Sequence, residues 1–136
     1  MRPPSLTTVL AAATFALLAG PIAAQQPARP SPVLSETLPG MPRTEQQQIS
    51  VMTAEFHPGQ ETVFHTHRFP VTVYVMEGAF TLELQGREPI VVRAGQSMVE
   101  PPGVRMMGYN RSTTERLRLV IFYVSEPGMP FLDLIH

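Results

Sequence analysis

His65-Thr66-His67 is the most chemically loaded element of this chain. On a strand, residues two apart project to the same side, so both imidazoles can reach one point. Two neutral ring nitrogens there can share a metal ion or hydrogen-bond a guest. A pair is an incomplete ligand set, because protein metal sites usually draw on three or more side chains. The remaining donors must come from a chain without cysteine. That excludes disulfides, thiolate ligands, iron–sulfur clusters and cysteine nucleophiles together. His, carboxylate, Met, hydroxyl and backbone groups are what is left. No Ser-His-Asp arrangement can be argued, and no phosphate-cradling glycine loop precedes a helix, so nucleophilic and nucleotide chemistry are poor expectations.

The elements that must position the pair read as strands. From Ile49 onward apolar residues recur with period two, and turn residues punctuate the pattern at short, regular intervals. The expected strands are Ile49 to Phe56, Glu61 to His67, Val71 to Met76, Ala79 to Leu84, Pro89 to Arg93, Gln96 to Glu100, Val104 to Tyr109 and Arg116 to Val124. Such short strands fit a sandwich or a barrel, and no convincing helix interrupts them. Parity assigns the faces. With His65 and His67 inward, Val71, Val73 and Val75 share that interior, as do Phe80, Leu82 and Leu84, while Thr81, Glu83 and Gln85 face water. In the last strand Leu117, Leu119, Ile121 and Tyr123 alternate with Arg116, Arg118, Val120 and Phe122. The second set turns apolar towards its end, which predicts an outer face covered by a second subunit.

The surroundings of the pair carry a resemblance. Gly59, five residues, His65, one residue, His67 and later Gly78 is similar to the first conserved motif of the cupin superfamily; Gly95, five residues, Pro101, one residue, Gly103 and later Asn110 is similar to the second. The resemblance covers about Ile49 to Val124 and implies a single jelly-roll β-barrel, often dimeric, with a metal in the barrel mouth. The glycines and Pro101-Pro102 fall where a sheet must turn sharply to close. Cupins commonly bind their metal with two His and a Glu from the first motif and a third His from the second. Here the Glu position is Val71 and the third-His position is Met106.

Those two replacements leave three readings open. His65, His67 and the Met106 thioether hold a metal, and a soft sulfur then favours copper. Alternatively Fe, Mn or Zn is held by the two His, with water or a carboxylate substrate completing the shell. In the third reading there is no metal, and the barrel is an apolar pocket for a small ligand with the His pair offering hydrogen bonds. Met106 is as readily packing as ligand, since Met fills irregular gaps in cores. His57, beside a Pro-Gly turn, reads as a surface residue. Glu100 and Arg105 either line the mouth or are ordinary solvated charges. Tyr109 and Tyr123 either offer a hydroxyl to a ligand or pack, and His136 ends the chain.

The rest of the chain supplies the address and the boundaries. Arg2, an apolar run from about Leu6 to Leu18 and the small residues up to Ala24 make residues 1–24 a secretory signal peptide, too short to span a membrane. Residues 25–48, with Pro27, Pro30, Pro32, Pro39 and Pro42, form an extended arm; 49–125 form the barrel; 126–136 are an apolar tail that docks on the barrel or on a partner. The expected location is periplasmic or secreted. Ten Arg, no Lys and eleven acidic residues give a net charge of -1, which excludes a nucleic-acid footprint or a polybasic membrane patch. The expected function is therefore that of an exported small cupin binding a metal ion or small ligand, as a homodimer. The alternative is a metal-dependent oxidoreductase of the cupin dioxygenase type. The loss of a carboxylate that would both ligate and accept a proton favours the binding module.

Overall fold

The computed structural model describes residues 25–136, and the signal peptide read over 1–24 lies outside the described residues. Residues 25–30 are exposed and have no regular structure. Residues 31–47 are also irregular and mostly exposed, but Pro42 is buried and its carbonyl accepts from the Gln47 side-chain amide. From there the chain folds entirely as antiparallel β-structure, with no helix among the described residues.

Nine strands follow in order: β1 (Gln48–Phe56), β2 (His65–Thr66), β3 (Val71–Glu77), β4 (Ala79–Leu84), β5 (Ile90–Arg93), β6 (Ser97–Glu100), β7 (Met106–Tyr109), β8 (Leu117–Ser125) and β9 (Asp133–Leu134). One sheet runs β1-β8-β3-β6 and the other β5-β4-β7-β2-β9. Together they make the all-β jelly-roll that the sequence pattern and the two motifs imply. Between them lies the core, built from alternate residues of the strands: Val71, Val73 and Val75 of β3, Phe80, Leu82 and Leu84 of β4, and Leu117, Leu119, Ile121 and Tyr123 of β8 are all buried. The alternation of β8 is the clearest case, since Phe122 between two buried residues is 44% exposed.

Two local expectations fail for identifiable reasons. Glu61 to His67 does not form one strand. It reduces to the two residues of β2 and an isolated bridge between Glu61 and Tyr109. Between them, Gly108 N–H donates to the Thr62 hydroxyl at 2.9 Å instead of to a backbone carbonyl, so a side chain takes the place of a ladder bond. Thr81 does not face water. It stands between Tyr109 and Val91 in the ladder and is buried. A ninth strand, β9, arises where the sequence offers only an apolar tail.

Packing against the site fixes Gly108. A Cβ there would stand 2.5 Å from the Phe80 ring, so β7 accepts no side chain at this point without moving a core aromatic. Behind the site, Asn110 ties the motifs together. Its buried side chain donates to the carbonyls of Phe56, His57 and Glu115 and accepts from Ser112 N–H.

Candidate metal or ligand site

The two imidazoles converge. His65 Nε2 lies 3.2 Å from His67 Nε2, with the rings edge-on at 77° and both side chains buried. Each ring is fixed from behind by a backbone carbonyl: His65 Nδ1 is 2.7 Å from Val63 O, and His67 Nδ1 is 2.7 Å from Phe131 O. A carbonyl only accepts, so each Nδ1 carries the hydrogen. In neutral rings both Nε2 atoms then present lone pairs to each other across 3.2 Å. That contact is repulsive unless a proton or a metal ion stands between them.

A carboxylate completes the group. Glu100 ends β6, is buried, and places Oε2 3.1 Å from His67 Nε2. The register explains how it arrives. Val71, which occupies the family's Glu position, pairs directly with Glu100 across the β3–β6 ladder. The carboxylate missing from one strand is delivered by its neighbour. Of the two sequence readings of Glu100, an ordinary solvated charge is ruled out by its burial. Burial is also the main force on His65. It holds the imidazole below its ordinary value and outweighs the Val63 carbonyl, which favours the charged form; His67 pushes further down and Glu100 up.

These side chains open on a cavity of about 60 Å³ whose other walls are apolar, among them Phe56, Val73, Phe80, Leu119, Ile121, Phe131 and Leu132. Met106 pairs with His65 across the β2–β7 ladder and is fully buried, but it is not among the residues lining this cavity. The other candidates lie away from it. His57, Arg105 and His136 are exposed. The Tyr109 hydroxyl donates to Glu83, and the Tyr123 hydroxyl to Pro130 O. Tyr123 contributes its ring instead, 6.3 Å from that of His67.

Pair by pair, the donor spacings are those of ligands sharing a metal ion. Two donors held about 2.1 Å from one ion, at right-angled to tetrahedral geometry, stand about 3.0–3.4 Å apart. The contacts of 3.2 and 3.1 Å fall in that range. Carbonyl acceptors on both Nδ1–H groups are the kind of outer contact that fixes the tautomer of a ligating His. The contacts run as a chain from His65 through His67 to Glu100, and among the described residues no group of three or more His, Asp or Glu is placed so that it could hold a metal ion.

Comparison with known proteins places the fold in a family. The profile of the cupin domain matches residues 52–123, more than half of the chain, and the chain belongs to that family. Among solved structures it is similar to a cupin-like protein from Thermotoga maritima, at 20% identity and TM-score 0.55 over 64% of each chain. A conserved protein with a double-stranded β-helix domain from Klebsiella pneumoniae matches at 25% identity and TM-score 0.54, over 65% of this chain and 75% of that one. The DMSP lyase DddQ of Ruegeria pomeroyi matches at 14% and 0.54, over 63% of this chain and 42% of the lyase. The chain thus spans less than two thirds of the Thermotoga protein and of the lyase. Comparison with curated proteins finds no match.

Proposed function

We propose that the protein is an exported small cupin that binds one metal ion through His65, His67 and Glu100, with room beside it for a very small ligand. The observation that carries this reading is the pair of facing Nε2 atoms, each with its Nδ1–H already donated to a carbonyl. Such a pair calls for a cation, and the Glu100 carboxylate adjoins it to balance the charge. Two imidazoles and a carboxylate form a borderline-to-hard set, suited to Fe(II), Zn(II), Mn(II) or Cu(II). Copper(I) would need the Met106 thioether to turn towards the site.

Glu100 also supports a second reading, a metal-dependent oxidoreductase of the dioxygenase type. Two His and one carboxylate with open positions are a set found in oxygen-activating iron enzymes. A bound redox ion would supply a Lewis-acidic, oxygen-reactive centre. The chain's own part is to hold His65 and His67 in one tautomer, to keep a carboxylate beside them as a proton acceptor at Oε2, and to exclude bulk water with Phe131 and Leu132. The likeness to the lyase shows the fold alone and does not indicate a reaction.

Export to the periplasm or beyond belongs to the proposal, and no helix among the described residues is long and apolar enough to cross a membrane. So does a homodimer. The outer face of the β1-β8-β3-β6 sheet exposes Ile49, Val51 and Phe122, with Val51 and Phe122 paired across the ladder.

Metal analysis of the purified protein and its variants tests the site. The expected result is one equivalent of metal in the parent and in Met106→Leu, with loss in His65→Ala and His67→Ala. Affinity should fall by about tenfold or more in Glu100→Gln. Retention in the His variants overturns the proposal. Loss in Met106→Leu moves the third ligand from Glu100 to Met106.

A further inference from the structure

The C-terminal segment lies over the site. His65 and His67 are 4% and 1% exposed. Most walls of the cavity belong to strands of the two sheets, but one wall, Phe131 and Leu132, belongs to the last residues of the chain. This strap crosses β2 from Met129 to Ile135. β9 pairs with β2 over two residues, Ile135 N–H donates to Phe64 O, the Tyr123 hydroxyl to Pro130 O and the His67 ring to Phe131 O, and Arg68 reaches the Met129 sulfur and holds the Asp133 carboxylate by two bonds of 2.8 and 3.0 Å. That ion pair is largely solvated, its side chains 47% and 38% exposed, and such pairs hold weakly.

A hinge stands at the base of the strap. Glu126-Pro127-Gly128-Met129 is a turn closed by Met129 N–H to Glu126 O, with Gly128 at φ 79°. Pro followed by Gly is the pattern of a type II turn. Immediately before it, the buried Ser125 hydroxyl meets no hydrogen-bond partner, so the closed arrangement leaves one polar group uncompensated next to the hinge.

We propose that this strap is the entrance to the His65–His67 site. The strap swings out about the 126–129 turn to admit the ligand. When it closes, the Phe131 ring packs on His67 at 4.8 Å and the Phe131 carbonyl takes the His67 Nδ1–H. Phe131 is in this sense a positioning residue for His67 as well as a plug. The inference rests on the proposed function for what enters, but not for the movement itself.

Carbethoxylation of histidine by diethylpyrocarbonate, a reagent that must reach the ring nitrogens, tests the door in metal-free protein. In the parent, exposed His57 should react at once, and His65 and His67 at least about tenfold more slowly. Arg68→Ala and Asp133→Asn should each raise the His65 and His67 rates about two- to fivefold without changing His57. The double exchange Arg68→Asp with Asp133→Arg should restore protection, with thermal unfolding showing that all variants are folded. Equal protection in parent and single variants overturns the proposal, as does fast reaction of His65 and His67 in the parent. If the parent binds no metal, the functional reading fails and these rates still decide the strap.

Discussion

At the scale of single residues, the site depends on which atoms are already committed. Both imidazoles spend Nδ1–H on carbonyls, so Nε2 is the only ring nitrogen left to each, and the two meet 3.2 Å apart. Asn110 is committed in another way. Its amide serves three carbonyls on two segments, and leaving buried acceptors unpaired costs free energy that a hydrophobic replacement does not return. Asn110→Ala should therefore lower unfolding stability by about 2 kcal/mol, read from urea denaturation, with metal stoichiometry in the folded fraction unchanged. That His65 and His67 share a side was legible in the sequence, because strand parity is a local property. That Glu100 joins them was not. Its place depends on the β3–β6 register that sets it opposite Val71, and no spacing along the chain encodes that pairing.

At the scale of elements, the short strands behave differently from the long ones. β3, β4 and β8 each have a buried face readable from alternating apolar residues, whereas β1 buries only Phe56 and exposes Ile49 and Val51. β2 and β9, at two residues each, do not contain enough alternation to be read, and they exist because their neighbours hold them. The strap is held in part by Arg68, whose hydrogen bonds and charge keep the Asp133 carboxyl below its ordinary value of 3.8. A carboxyl with a lower value in the folded state contributes stability above its unfolded value, and loses it as pH falls through the folded one. Protection of the Ile135 amide against hydrogen exchange, corrected for intrinsic rate, should therefore be flat from neutral pH down to the carboxylate range. It should weaken only below about pH 4, and Asp133→Asn should show the weaker protection at every pH. A parent profile that changes near neutrality would place the holding interaction elsewhere.

For the whole molecule, the inner surface and the outer one follow different rules. Inside, the core alternation closes the barrel, and its pattern was visible from composition and period. Outside, the β1-β8-β3-β6 sheet leaves Ile49, Val51 and Phe122 at 75%, 62% and 44% exposure, on a chain with only 15% charged residues. A two-fold assembly through that face would bury the patch against its own copy. Sedimentation of the parent should give a dimer. Val51→Lys with Phe122→Glu should shift it to monomer while leaving the far-ultraviolet spectrum intact, since both side chains point away from the core. A monomeric parent at micromolar concentration would contradict the assembly.

The ring nitrogens of His65 and His67, followed by nitrogen–proton correlation spectra while zinc is titrated into the metal-free chain, test the central claim most directly. The expected result is that both Nε2 resonances move together and saturate at one equivalent, while both Nδ1 atoms keep their hydrogens on the carbonyls of Val63 and Phe131. Rings that do not respond to zinc, or a response through Nδ1, would contradict it.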